Sequence, residues 1–250
     1  MASSPYFFPL RLSNPTPEAT LYIFHYSGGG ASSFRPLVKA INSAINVIGV
    51  QLPGRENRFQ EPCIEDLDTV IHDLIKAFGS YMTQNAIFLG HSMGGGLAYE
   101  CVNAMRLKGI SLPKHLVVSG RRAPHRPSSH VLRSDLTDKE MVEVLNQFGG
   151  LNDEIMQNEE VLSFILPLMR ADLKVLEQLT PKVGVPLNIP ITAIGGAQDR
   201  LVLEEDLQAW KGYTIADFKC QMFEGGHFFL LKESLNQVGQ FINAIVTQEG

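Results

Sequence analysis

The stretch Ala86-Ile87-Phe88-Leu89-Gly90-His91-Ser92-Met93-Gly94-Gly95-Gly96 joins an apolar run to a helix-like segment through Gly-x-Ser-x-Gly. That layout puts a serine on a tight strand-to-helix turn, with its hydroxyl exposed above a sheet. Gly90 and Gly94 flank the turn, where side chains would collide with a strained backbone. The short motif takes its specificity from the strand before it and the helix after it. A serine in a glycine-rich turn is as often a structural turn residue, so its partners must be sought elsewhere in the chain.

Outward from this turn, strand-like and helix-like patterns alternate. Apolar strands are expected at Phe7–Leu12, Leu21–His25, Val47–Leu52, Ile87–Leu89, His115–Ser119, Ile191–Ile194 and Phe218–Phe223. Helical spacing covers Leu67–Tyr81, Leu97–Leu107 and Leu235–Val246. Near-continuously apolar strands separated by helices imply a parallel sheet covered on both faces. The segment from Arg121 to Pro190 breaks the rhythm, with no convincing strand. It opens as a loop rich in Arg, His, Pro and Ser, then shows a capping box at Thr137 and Glu140. A longer apolar helix follows over Glu159–Leu179, with a bend expected at Pro167. The chain therefore divides into a core of residues 1–120 and 191–250 and an inserted helical lid of residues 121–190, placed where insertions cover active sites.

Composition removes several classes of function. The 250 residues, 44% hydrophobic, suffice for one domain with a large core. A formal net charge of −5 argues against general nucleic-acid binding, which needs a basic face. Cys63, Cys101 and Cys220 are odd in number and lack metal-ligand spacing, so no metal is expected and a reducing, cytoplasmic setting fits. Cys101 and Cys220 read as core thiols. The N-terminus lacks the basic start and apolar stretch of a signal peptide. No window approaches the roughly 20 apolar residues of a membrane span. Without an exposed heptad pattern, a monomer is the default.

A serine hydroxyl is a weak nucleophile until a base takes its proton, and that base needs a carboxylate to fix its tautomer. On a sheet of this kind the acid and then the histidine follow the serine. Asp199 follows the strand Ile191–Ile194, in Gly195-Gly196-Ala197-Gln198-Asp199. His227 follows Phe218–Phe223, in Glu224-Gly225-Gly226-His227-Phe228. Each sits beyond the carboxyl end of a strand, where sites on parallel sheets assemble. Alone, Asp199 reads as a cap and His227 as a packed histidine; in this order and at these positions, with Ser92, they form a catalytic set. His91 should point away from Ser92 in a structural role. His72 reads as a surface or packing residue; His125 and His130 fall in the inserted loop; His25 ends a strand near the site and His115 opens one. Donors for the tetrahedral oxygen are assigned to the backbone N–H of Met93 and, from the loop Tyr26-Ser27-Gly28-Gly29-Gly30, to that of Ser27, with Gly28 as runner-up. A phosphate cradle is the competing use of that loop, but the lysine and Ser/Thr of a nucleotide loop are absent.

The chain resembles the type II thioesterases of non-ribosomal peptide and polyketide synthesis, which are free-standing α/β-hydrolases. The resemblance covers most of the chain and lies in Phe24 to Ala31, Gln51-Leu52-Pro53-Gly54-Arg55-Glu56-Asn57-Arg58, Gly90 to Gly95, Ser119-Gly120-Arg121-Arg122-Ala123-Pro124, Leu166 to Asp172 and Gly225-Gly226-His227-Phe228-Phe229-Leu230. It implies an α/β-hydrolase fold with a lid, and hydrolysis of thioesters on the 4′-phosphopantetheine arm of acyl or peptidyl carrier domains, clearing misprimed groups without a cofactor of its own. It also implies Ser92, Asp199 and His227 as nucleophile, acid and base, with Ser27 and Met93 as oxyanion donors. The chain departs from the family at His25-Tyr26-Ser27, where Pro, Tyr or Phe, and Ala are common, and at Arg200, where a small or apolar residue is. Gly28, Met169 and Phe228 are expected to meet substrate, and Met141, Met156 and Met169 suit variable acyl shapes. The helix over Val161–Leu179 is apolar nearly all round and should be covered on both sides. Arg121, Arg122, Arg126 and Arg133 form a basic run; it is either a carrier-docking face, through Arg126 and Arg133 above all, or a solvated loop. Arg121 and Arg122 alternatively pair with acids near the lid, such as Asp172. The rivals are a general carboxylesterase or acyltransferase and a catalytically silent binding module of the same fold.

Overall fold

The computed structural model describes residues 4–12, 17–127, 132–150, 156–179 and 185–249. His130 and the remaining parts of 121–190 lie outside these ranges. Seven strands form one sheet in the order β1-β3-β2-β4-β5-β6-β7. They are β1 (Phe7–Arg11), β2 (Ala19–Phe24), β3 (Ile45–Val50), β4 (Ala86–His91), β5 (His115–Ser119), β6 (Ile191–Gly196) and β7 (Phe218–Phe223). Only the edge strand β1 runs antiparallel, against β3; the other pairs are parallel.

Strand β2 is buried at every position, which explains its mostly apolar sequence. Tyr22 and Phe24 pack on the face covered by α2 (Leu67–Tyr81) and α3 (Met93–Leu107). Leu21 and Ile23 point to the other face, covered by α1 (Arg35–Ala40) and α7 (Leu235–Glu249). Phe78 of α2 packs its ring 5.3 Å from Tyr22, 5.8 Å from Phe24 and 4.6 Å from Phe88. Burying a side chain of this size contributes roughly 1.5–3 kcal/mol. These contacts hold β2 and β4, and hence the loops after them, in register.

Helix α3 starts at Met93, earlier than its sequence suggests, because Gly94, Gly95 and Gly96 are poor helix formers. Their smallness is required: a Cβ on Gly94 would collide with the backbone of Phe24, and one on Gly96 with the Leu179 side chain.

Between β5 and β6 the described residues form α4 (Asp138–Gln147), α5 (Glu159–Gln178) and no strand; Leu187 makes only an isolated bridge to Thr214. Thr137 and Glu140 cap α4 reciprocally, and Asn158 caps α5. Helix α5 continues through Pro167. Met141 and Leu145 of α4 pack against Leu166, Met169 and Leu173 of α5 in a satellite core. The outer side of α5 is not covered as its sequence suggests, for Phe164 is 73% exposed. At its other end Val175 joins the main core, as do Ala123, Leu187 and Ile189. The short α6 (Glu204–Gln208) follows β6. Cys101 is fully buried, whereas Cys220 is only half-buried because β7 is the opposite edge of the sheet.

Candidate active site

Six parallel strands end on one rim of the sheet, and the loops after β4, β6 and β7 carry Ser92, Asp199 and His227. Ser92, between β4 and α3, has φ 54° and ψ −117°, a conformation rare for a side chain with a Cβ. Its N–H donates to the Ser119 carbonyl at 2.8 Å. A Cβ at Gly90 would strike the Gly94 carbonyl, so the turn closes only with glycine there. Asp199 follows β6 and His227 follows β7. The two loops touch closely enough that a Cβ on Gly196 would meet the carbonyl oxygens of Gly225 and Gly226.

His227 Nδ1 donates to Asp199 Oδ2 at 2.7 Å, with both residues buried. The carboxylate can only accept, so the neutral imidazole carries its proton on Nδ1 and leaves Nε2 as the acceptor. The other carboxylate oxygen, Oδ1, accepts the N–H groups of Leu201 at 2.7 Å and Val202 at 3.3 Å. Ser92 and His227 line the same two clefts. Among the described residues they make no direct hydrogen bond, a contact that commonly tightens only with substrate bound.

Met93 is the first residue of α3, so its N–H has no carbonyl within the helix to bond. Across the cleft, the Gly28 N–H donates to Asp172 Oδ2 at 2.8 Å. That bond occupies the Gly28 N–H, the runner-up donor, within the loop. The segment Gln51–Glu56 grips the loop. Gln51 Oε1 accepts the Ala31 N–H at 2.7 Å. Glu56 accepts the Ser32 N–H at 3.1 Å and its hydroxyl at 2.6 Å, from a left-handed backbone at φ 47°. Arg55 Nη1 donates to the Gly29 carbonyl at 3.0 Å.

One cleft, about 590 Å³, contains Gly28, Met169 and Phe228 beside Ser92 and is otherwise largely apolar. Met169 closes on the loop tightly enough that a Cβ on Gly28 would strike its Cε. Met141 is fully buried in the satellite core, and neither it nor Met156 lines this cleft. The second cleft, about 800 Å³, meets the first at Ser92 and His227 and is lined by Arg121, Arg122, Arg126 and Arg133.

The arginine run is neutralised locally. Arg126 pairs with Asp206 at 2.9 Å and Glu205 at 2.7 Å, and Arg133 with Asp135 at 2.8 Å. Arg122 approaches Asp206 at 3.9 Å and donates to the carbonyls of Pro127 and Leu201. Arg121 is half-buried, and desolvation with Arg122 nearby lowers its guanidinium to about 10. Neither Arg121 nor Arg122 pairs with Asp172; that carboxylate is held by Arg55 at 2.7 and 2.8 Å. Sequence spacing carried no signal for this pair, which is 117 residues apart.

Among the other described histidines, His25, His91 and His115 are buried, whereas His72 and His125 are exposed. His91 bonds Ser119 Oγ through Nδ1 at 3.0 Å and lies 5.0 Å from His227, ring to ring. Burial, then the nearby His227, pushes its pKa well below the usual histidine range. His25 contacts the Tyr26 carbonyl at 2.9 Å, and burial, reinforced by Arg55, lowers it to about 4. His115 bonds Thr192, His125 stacks on Tyr213, and His72 is exposed.

A mostly parallel seven-stranded sheet, with a serine on a strained turn after β4 and an acid and a histidine on later loops of the same rim, defines an α/β-hydrolase. The chain belongs to the thioesterase family, whose thioesterase domain matches residues 19–246, and it is a hydrolase of the type II thioesterase kind. It is 38% identical over 219 residues to the linear gramicidin dehydrogenase LgrE of Brevibacillus parabrevis, covering 86% of this chain and 83% of that one. It is 33% identical over 225 residues to the gramicidin S biosynthesis protein GrsT of Aneurinibacillus migulanus, covering 90% and 88%. Among solved structures, the type II thioesterase BorB of the borrelidin biosynthetic cluster superposes with a TM-score of 0.86 at 31% identity, covering 98% of this chain and 99% of that one. No helix among the described residues is long and apolar enough to cross a membrane.

Proposed function

We propose that this thioesterase releases acyl groups from the 4′-phosphopantetheine arm of acyl or peptidyl carrier domains, with Ser92, His227 and Asp199 as its catalytic set. His227 Nε2 takes the Ser92 hydroxyl proton as Oγ attacks the thioester carbonyl. The tetrahedral oxygen is held by the N–H groups of Ser27 and Met93. Collapse breaks the carbon–sulfur bond, and His227 returns the proton to the departing thiolate. Water then attacks the acyl-serine, with His227 again as base, releasing the carboxylic acid and restoring Ser92. Asp199 keeps the imidazole in the tautomer with Nε2 free and stabilises its charged form.

The observation that carries this proposal is the 2.7 Å Asp199–His227 bond beside Ser92, at the junction of two clefts. The apolar cleft suits the acyl group, with Gly28, Met169 and Phe228 against it, and the arginine-lined cleft suits the polar arm. Residues 121–190 act as a lid over the core of 1–120 and 191–250, supported by α4 and α5 residues lining the first cleft and α5 residues lining the second. Arg126 and Arg133 take up the carrier at the rim, in competition with their own acids. The arm arrives with the substrate, so the enzyme requires no cofactor of its own. Free Cys63, Cys101 and Cys220 suit the reducing cytoplasm, and the protein acts as a monomer.

Turnover of acyl-loaded carrier protein against an aryl ester of the same acyl group tests the assignment. A higher kcat/KM on the carrier supports it; preference for the aryl ester would point to a general carboxylesterase.

A further inference from the structure

Asp172 is a carboxylate with 1% of its side chain exposed, and it bonds the residue next to the loop's oxyanion donor. A negative charge there opposes the negative oxygen that develops during acyl transfer. Its neutralisation is complete and specific. The Arg55 guanidinium, 4% exposed, meets both carboxylate oxygens in a fork. The same guanidinium donates to the Gly29 carbonyl and, through Nε, to the Pro53 carbonyl at 3.3 Å.

These bonds fix the one peptide unit that matters for the donor. The Tyr26 carbonyl and the Ser27 N–H belong to a single planar group. That carbonyl accepts the Gly29 N–H at 3.0 Å and contacts His25 Nδ1 at 2.9 Å. Arg55 and Asp172 hold Gly29 and Gly28, so the turn that orients the plane is pinned from outside. Asp172 comes from α5, and Arg55 from the segment after β3.

We propose that Arg55 and Asp172 are a positioning pair for the oxyanion hole: Asp172 withdraws the Gly28 N–H and fixes the loop, and Arg55 cancels the carboxylate charge that would otherwise oppose the tetrahedral oxygen. The inference rests on the Ser92 chemistry proposed above. It separates orientation from charge, and each has its own signature. Arg55→Gln leaves an unpaired carboxylate one residue from the donor. The neutral carbonyl of bound substrate feels this little, whereas the transition state feels it strongly, so kcat falls and KM holds. Removing that charge as well, in Arg55→Gln/Asp172→Asn, restores part of the rate.

The test is steady-state hydrolysis of an acyl-pantetheine by the whole protein, with active sites titrated by a fluorophosphonate. Arg55→Gln is expected to lose on the order of 10²-fold in kcat per titrated site, comparable to loss of one oxyanion donor, with KM within about threefold. The double variant is expected to regain about tenfold or more, since cancelling a like charge is what oxyanion stabilisation measures. A double variant no faster than Arg55→Gln, or a loss confined to KM or to the titrated fraction, overturns the proposal. Ser92→Ala separates this from the underlying chemistry: if Ser92→Ala is inert while Arg55→Gln turns over normally, the pair alone fails; if Ser92→Ala turns over normally, the chemistry fails. Should Arg55→Gln not fold, the wild-type amides decide. The Gly28 N–H is expected downfield and slow to exchange, and the Ser27 N–H fast. Equal exchange at the two positions overturns the pair.

Discussion

Asp199→Asn changes one atom pair, and the structure sets its consequence. In the wild type, Oδ2 faces His227 Nδ1, and Oδ1 accepts the N–H groups of Leu201 and Val202. In the variant those two backbone donors retain the amide oxygen, because turning the NH₂ toward them would oppose donor to donor. The NH₂ therefore faces Nδ1, which must become an acceptor. The imidazole proton moves to Nε2, the atom that has to accept from Ser92. The fold is undisturbed, yet the base is in the wrong tautomer. For a serine–histidine pair this costs about 10⁴ in kcat, or about 5.5 kcal/mol at 1.36 kcal/mol per decade. Thiol release from an acyl-pantetheine, followed with a chromogenic disulfide, measures kcat and KM. The expected result is a fall in kcat near that size, KM within a few fold, and a melting temperature close to wild type. A kcat within tenfold of wild type would refute the orientation argument, since the amide would then have been free to turn.

Other outcomes follow from the same geometry. Met169→Ala removes the side chain that closes on Gly28, so kcat/KM should shift toward bulkier acyl groups, with stability lower by about 2–5 kcal/mol; an unchanged acyl profile would separate Met169 from the acyl cleft. His25 is lowered to about 4 by burial, against about 6.5 unfolded. The unfolded chain therefore binds the extra proton first, and stability is full above about pH 6.5 and falls toward pH 4; urea midpoints across that window should decline, and His25→Asn should flatten the decline. Arg126→Ser combined with Arg133→Ser should lower kcat/KM on acyl-carrier protein and spare acyl-pantetheine, an effect of charge at the rim of an interface; an equal loss on both substrates would rule out docking there.

The proximity of Ser92, Asp199 and His227 on one rim was legible because its signals are local. Gly90 and Gly94 flank Ser92 in a turn whose closure excludes a Cβ at either glycine, and a strand precedes each of Asp199 and His227. Alternation of strand and helix marked the sheet, since β2, β4 and β5 are buried on both faces and are mostly apolar. The start of α3 was misplaced because propensity counts glycines against a helix, while close approach to Phe24 demands one of them. What stayed hidden depends on charges distant in sequence. The arginine run looked like a basic patch because Glu205 and Asp206, which neutralise Arg126, follow it by 79 and 80 residues. Asp172 looked available to Arg121 or Arg122, whereas its partner Arg55 comes from the other side of the site. No periodicity or spacing encodes such pairs; only the folded chain brings them together.

Everything chemical in this account passes through an ester formed on the hydroxyl of Ser92. Rapid quenching of the enzyme with an acyl-pantetheine, followed by peptide mass mapping, measures it directly. The expected result is an acyl increment on the peptide bearing Ser92, transient in the wild type and absent in Ser92→Ala and His227→Ala. Thiol release by Ser92→Ala at the wild-type rate, or an acyl group mapped to another residue, would contradict the account.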